Sequence, residues 1–140
     1  MFNKILSYRI NEFISPDIAI AILRIGTSAI MLTHGLPKFL RIIEGDFSFG
    51  DPIGLGPELS LIMITFAEFF CAILVLVGFG TRAASIPLII GMAVAYFIAH
   101  VDDPFSRSEK AFIFMFLYSL IFLTGPGKFS LDRLIVIRKR

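Results

Sequence analysis

The chain has 140 residues, of which 56% are hydrophobic and 17% charged, and its mean hydropathy is +0.85. Soluble domains of this size are usually closer to half apolar and a quarter charged, so the composition predicts a small integral membrane protein. The formal charge of +2 is too small and too evenly spread to indicate nucleic-acid binding. The single cysteine, Cys71, excludes an intrachain disulfide and autonomous dithiol chemistry.

Four apolar segments have the composition of membrane-spanning helices. Ser15-Pro16-Asp17 opens the first one with a cap residue and an early proline. The turn Gly78–Arg82 is so short that the second and third segments must run antiparallel. Gly125-Pro126-Gly127 ends the fourth. We therefore predict one all-α domain, residues 1–140, folded as an integral membrane antiparallel four-helix bundle with spans at residues 18–36, 59–79, 83–101 and 107–124.

The distribution of lysine and arginine predicts the orientation in the membrane. Eight of these residues lie on one side, namely Lys4, Arg9, Arg82, Lys128, Arg133, Arg138, Lys139 and Arg140. Four lie on the other side, namely Lys38, Arg41, Arg107 and Lys110. The positive-inside rule then places both termini in the cytoplasm, and the expected location is the cell (inner) membrane. Apolar residues at helical spacing predict that both terminal segments lie along the membrane surface.

Two charged residues, Arg24 and Glu68, lie inside predicted spans. A charge at the centre of a bilayer costs roughly 3 kcal/mol or more, so each is expected to mark a functional or a pairing site. Their estimated depths allow an Arg24–Glu68 ion pair, which either belongs to a functional site or only joins two helices. Arg24 and the lack of a small-residue cleavage site also indicate that the first span is not a cleaved signal peptide.

A polar stripe follows one face of the first span, and further polar residues follow the outer ends of the other spans. Together they predict a polar cavity, walled by phenylalanines, that opens toward the outer loops and holds a small apolar molecule such as a quinone. The alternative is a closed core with ordinary interfacial hydrogen bonds. The predicted site residues are Arg24, Thr27, Ser28, His34, Lys38, Glu68, His100 and Glu109.

Metal and haem sites are disfavoured by the spacing of the histidines and carboxylates. His34 and His100 could ligate a haem iron, or histidine together with the carboxylates of Asp102, Asp103 and Glu109 could bind a metal, but neither pattern has a specific motif spacing. Phosphate loops, nucleophile elbows and catalytic triads are also absent from the sequence. No metal site and no catalytic residue is predicted.

Several motifs, in their order and spacing from Ala21 to Asp132, resemble the DoxX family of small membrane proteins. They are Arg24-Ile25-Gly26, His34-Gly35-Leu36-Pro37-Lys38, Glu68 with Leu74, Gly78 and Thr81-Arg82, Glu109-Lys110-Ala111, and Gly125 to Asp132. The resemblance implies a four-helix membrane bundle associated with redox chemistry, as in the small subunit of an archaeal thiosulfate:quinone oxidoreductase. By position, the family's polar residues correspond to Arg24, His34, Lys38, Glu68, Arg82 and Glu109.

Two interpretations of function follow. In the first, the protein is a quinone-linked redox subunit rather than a self-sufficient enzyme: His34 or Glu68 passes protons, and a cofactor or partner subunit carries electrons. In the second, it is a non-catalytic membrane scaffold or a carrier of a small apolar molecule. The expected partners are the lipid bilayer, a redox partner subunit and, in a homo-oligomer, a second copy of the chain; nucleic acid is not expected.

Overall fold

The computed structural model describes residues 15–138, and every regular element in that range is a helix. In chain order these helices are α1 (Pro16–Ile43), α2 (Pro57–Val77), α3 (Thr81–Ala99), α4 (Phe105–Thr124) and α5 (Leu131–Arg138). The prediction of an all-α fold is confirmed. The predicted number of four helices is not, because α5 adds a fifth. The N-terminal segment that was predicted to lie on the membrane lies outside the described residues.

Three of the described helices, α1, α2 and α3, are long and apolar enough to cross a membrane. Helix α4 matches the fourth predicted span in position and has 20 residues, but Arg107, Glu109 and Lys110 fall in its first two turns. Many large apolar side chains point away from the helical core, among them Ile22, Ile30, Phe66 and Phe97. An apolar exterior of this extent is expected of a protein surrounded by lipid.

The helices pack around a core of side chains that all four longer helices contribute. Helix α1 contacts α2 and α4, and α3 also contacts α2 and α4. The core residues include Met31, Ala72, Val75, Leu88, Tyr118 and Ile121. Small residues at several helix contacts let the backbones approach closely, as is common where lipid removes the hydrophobic drive between helices.

The turn between α2 and α3 is held by the C-terminal segment. Gly78 and Gly80 both have positive φ, at 76° and 56°, which reverses the chain within three residues. The Asp132 carboxylate accepts hydrogen bonds from the Gly80 N–H at 2.8 Å and from the Thr81 N–H at 3.1 Å. The Asp132 N–H donates to the Gly78 carbonyl at 2.9 Å. Asp132 therefore caps the start of α3 from 51 residues away in the chain.

The middle of α2 departs from α-helical geometry. Residues Phe66–Cys71 form a π-helical segment, which contains Glu68. Helix α1 approaches this segment closely at Gly35: a Cβ built there would lie 2.5 Å from the carbonyl carbon of Glu68 and 2.7 Å from the Phe69 nitrogen. Such single-turn π segments often occur at functional sites. The close contact fixes the relative level of α1 and α2.

Candidate functional site

Glu68 pairs with Lys38 rather than with Arg24. Glu68 is 5% exposed, and its Oε2 accepts a hydrogen bond from Lys38 Nζ at 2.5 Å. Because Gly35 contacts the backbone of Glu68, the carboxylate lies level with the C-terminal half of α1. Arg24 is eleven residues before Gly35, about 16 Å along the helix axis. The predicted Arg24–Glu68 ion pair is therefore wrong, because α1 and α2 are staggered.

Arg24 is fully buried and binds backbone carbonyls at the end of the helices where α2 finishes. Its guanidinium donates to the carbonyl oxygens of Val75, at 2.8 Å, and Leu76, in the last turn of α2. It also donates to the Phe129 carbonyl at 2.5 Å. The final carbonyls of a helix lack intrahelical partners and carry partial negative charge, which a cation stabilises. Arg24 thus joins α1, α2 and the C-terminal segment.

A second arginine at the same end has a comparable structural role. Arg82 donates to the carbonyls of Phe122 and Leu123, in the last turn of α4, at 3.1 and 3.4 Å. Lys128 and Asp17 form an ion pair at 2.8 Å between the C-terminal segment and the start of α1. Family resemblance singled out Arg24 and Arg82, and both are used to hold helix ends together.

A cavity of about 200 Å³ lies between α1, α2, α3 and α4, at the opposite end of the helices. Its apolar lining consists of Met31, Met92, Ala95, Ala111 and Phe114. Its polar lining consists of His34, Lys38, Glu68, His100, Arg107 and Lys110. Apolar walls with a few convergent polar groups are typical of sites that bind small molecules.

Hydrogen bonds at this end connect α3 to α4. His100 Nδ1 and Asp103 Oδ2 are 2.7 Å apart, and Arg107 Nη1 donates to Asp103 Oδ1 at 3.3 Å. The hydrogen bond with His100, and then the charge of Arg107, holds the pKa of the Asp103 carboxyl below its ordinary value. Asp103 therefore remains ionised at neutral pH and keeps two of the basic side chains that line the cavity in place.

The predicted site residues are spread over four places in the structure. His34, Lys38, Glu68 and His100 line the cavity. Thr27 and Ser28 are buried in the core, and Arg24 lies at the end of the helices where α2 finishes. Glu109 is partly buried and is not among the residues that line the cavity.

Sequence reasoning missed part of the cavity wall on α4. Arg107, Lys110, Ala111 and Phe114 all line the cavity, and their spacing of three, one and three residues places them on one helical face. That periodicity could have identified them. Within residues 15–138, no three His, Cys, Asp or Glu side chains are grouped so as to hold a metal ion.

Comparison with known proteins identifies the family. A family model described as DoxX matches residues 19–101, which is more than half of the chain and contains most of the cavity residues. The chain belongs to the DoxX family. The DoxX match ends before α4, so Arg107 and Lys110 lie outside it.

Two relatives cover most of this DoxX chain. An uncharacterized protein of Haemophilus influenzae is 32% identical over 124 residues, covering 81% of this chain and 87% of the relative. A protein of Bacillus subtilis named "Putative oxidoreductase CatD" is 28% identical over 127 residues, covering 90% of this chain and 93% of the relative. No solved structure matches the chain at a significant level.

Proposed function

We propose that this DoxX protein is an integral membrane subunit of a quinone-linked redox system, comparable to the small subunit of a thiosulfate:quinone oxidoreductase. The observation that carries the proposal is the cavity in which the Lys38–Glu68 pair and His34 meet the apolar walls. The name of the Bacillus subtilis relative, a putative oxidoreductase, agrees with this class of function. A partner subunit or cofactor supplies the electrons, since the sequence has one cysteine and no dedicated redox motif.

The cavity fits the head group of a quinone in size and in chemistry. An apolar cavity of about 150 Å³ is known to accommodate benzene, so about 200 Å³ accepts one substituted ring. The ammonium of Lys38 and an N–H of the His34 ring can donate hydrogen bonds to quinone oxygens. Met31 and Phe114 would contact the ring faces. When bound, a quinone supplies two-electron, two-proton redox chemistry, and Glu68 is the carboxyl that exchanges protons beside it.

The proposal includes an orientation in the membrane. Helices α1 to α4 form an antiparallel bundle that crosses the cell membrane, with both termini in the cytoplasm. The basic residues Arg82, Lys128, Arg133 and Arg138 all lie at the end where Arg24 is buried, which supports a cytoplasmic location for that end. Helix α5 has no buried residue and exposes Leu134 and Ile137, so we place it along the inner membrane surface.

Quinone binding is the test of this function. The purified protein, in nanodiscs, is titrated with a short-chain quinone, and the dissociation constant is measured by equilibrium dialysis with detection by absorbance. Glu68→Gln and His34→Leu should each weaken binding at least tenfold. Glu58→Gln, at the exposed start of the same helix, is the matched control and should bind as the wild type does. Wild-type protein that binds no quinone would disprove the proposal.

The alternative function is a non-catalytic scaffold. It is favoured by the use of Arg24 and Arg82 to hold backbone carbonyls, and by the direct Lys38–Glu68 ion pair. A scaffold would co-purify with a partner subunit and bind no quinone. The quinone titration, together with the subunit composition of the purified protein, therefore distinguishes the two functions.

A further inference from the structure

The cavity carries more positive than negative charge, and the excess comes from α4. Lys38, Arg107 and Lys110 are cations at neutral pH, whereas Glu68 is the one carboxylate that residues 15–138 contribute to the lining. Lys38 and Glu68 pair with each other, so their charges largely cancel. Arg107 and Lys110 remain, and both are exposed on the wall that α4 forms. A cleft with unbalanced positive charge attracts ligands with negative charge.

The two cations on α4 keep hydrogen-bond donors that a ligand can use. Arg107 Nη1 donates to Asp103 Oδ1 at 3.3 Å, but Asp103 also pairs with His100, so its charge is shared between two partners. The Arg107 side chain is 72% exposed, and a guanidinium has five N–H donors, so most of them are accessible. Lys110 takes part in none of the ion pairs formed among residues 15–138. Its ammonium is therefore available to an anion.

The lining changes from charged to apolar with depth. Arg107 and Lys110 are exposed and form the mouth of the cavity, whereas Phe114, one helical turn beyond Lys110, is only 8% exposed. Met31 and Met92, on the facing helices α1 and α3, are also buried. A flat ring with a charged substituent fits this arrangement. The ring leaves water for contact with apolar side chains, and the charge stays at the mouth beside the two cations.

We propose that the cavity selects ring compounds that carry a negatively charged group, which Arg107 and Lys110 bind at the mouth. The chemical class is an aromatic or quinone ring that bears a carboxylate, sulfonate or phosphate group. Both cations lie outside the residues that the DoxX model matches, so α4 adds this selectivity to the matched region. That the ring is a quinone rests on the proposed function, whereas the preference for an anion rests on the charges of the cavity.

Two compounds of the same shape and different charge test this preference. Toluenesulfonate is an anion at neutral pH, and toluenesulfonamide is its uncharged counterpart of nearly equal size. Their dissociation constants are measured by equilibrium dialysis with the full-length protein in nanodiscs of zwitterionic lipid, and empty nanodiscs supply the blank. At low salt the sulfonate should bind about fivefold more tightly than the sulfonamide. High salt should reduce this preference, because it screens exposed charges. Equal affinities at low salt, or no binding of the sulfonate, would overturn the proposal.

Lys110→Gln tests the assignment of the anion to α4. The substitution removes one exposed charge, so it should weaken binding of the sulfonate about two- to fivefold and leave binding of the sulfonamide unchanged. Arg41→Gln is the matched control, because Arg41 lies at the same end of the helices but pairs with Asp46 and is not part of the cavity lining. It should bind both compounds as the wild type does. An equal loss of sulfonate binding in the two variants would contradict the proposal.

The two compounds are not quinones, so this test and the quinone titration can fail separately. If a quinone binds but the sulfonate is not preferred over the sulfonamide, the selectivity for anions is wrong and the quinone-linked function stands. If the sulfonate is preferred but no quinone binds, the quinone-linked function is wrong and the selectivity for anions stands.

Discussion

The contact between Gly35 and the π-helical segment of α2 should not tolerate a side chain. In Gly35→Ala, the new Cβ would lie 2.5 Å from the Glu68 carbonyl carbon and 2.7 Å from the Phe69 nitrogen. Ordinary van der Waals contact begins at 3.4 Å, so α1 and α2 must separate by about 1 Å. The clashing atoms belong to the backbone, so no side-chain rotation can relieve the overlap. Overpacking of this kind typically costs about 1–3 kcal/mol.

Gly26→Ala is the matched control on the same helix, because a Cβ at Gly26 meets nothing within 4 Å. Both substitutions gain the same helix propensity, up to about 1 kcal/mol, so this gain cancels when the two variants are compared. The steric cost alone should then make Gly35→Ala less stable than Gly26→Ala by about 1–3 kcal/mol. Thermal unfolding of both variants in the same detergent measures the difference. Equal melting temperatures would refute the close approach of α1 to Glu68.

Three further predictions concern the ion pair, the helix cap and the topology. Lys38→Met and Glu68→Gln should each lower the stability of the protein. The double variant should lose clearly less stability than the sum of the two single losses. If the losses measured by thermal unfolding simply add, the two side chains do not interact. Asp132→Ala should lower the free energy of unfolding by about 0.5–2 kcal/mol because it removes the cap of α3. Asp102→Ala, in the exposed loop, is the control and should have no effect. Equal melting temperatures of the two variants would argue against the cap. A reporter that is active only outside the cytoplasm should give no signal when fused after Arg140, and a strong signal would reverse the proposed orientation.

The sequence predicted the helical class and most helix positions because these depend on local patterns of apolar residues. It did not predict which charged residues would meet. The depth of Arg24 and Glu68 was estimated from the ends of their own spans, which assumes that neighbouring helices start at the same level. The actual stagger is set by Gly35 against the backbone of Glu68 and by Arg24 against the end of α2, and both are tertiary contacts.

The composition of the candidate site was predictable in part. His34, Lys38, Glu68 and His100 were identified because they are polar residues inside or at the ends of apolar spans, and all four line the cavity. Whether they bind a ligand remains a prediction. The π-helical segment that contains Glu68 could not be predicted. A π-helical turn holds one more residue than an α-helical turn, and packing against neighbouring helices, not a pattern in the local sequence, stabilises it. Helix α1 also continues through Pro37, at an exposed position near its C-terminal end, where the loss of one backbone hydrogen bond is tolerated.

The bond from Arg24 to the Phe129 carbonyl joins residues 105 positions apart in the chain, and this separation has a consequence for biosynthesis. The first three helices are synthesised before Phe129. Until then one donor of a buried arginine has no protein partner, and Asp132 is not yet present to cap α3. A protein truncated before Phe129 would retain its long apolar helices and still insert, but its helix ends would be held by fewer bonds. Completion of the C-terminal segment therefore supplies the last bonds that hold the helix ends, and nonsense mutations late in the gene should produce inserted but less stable protein.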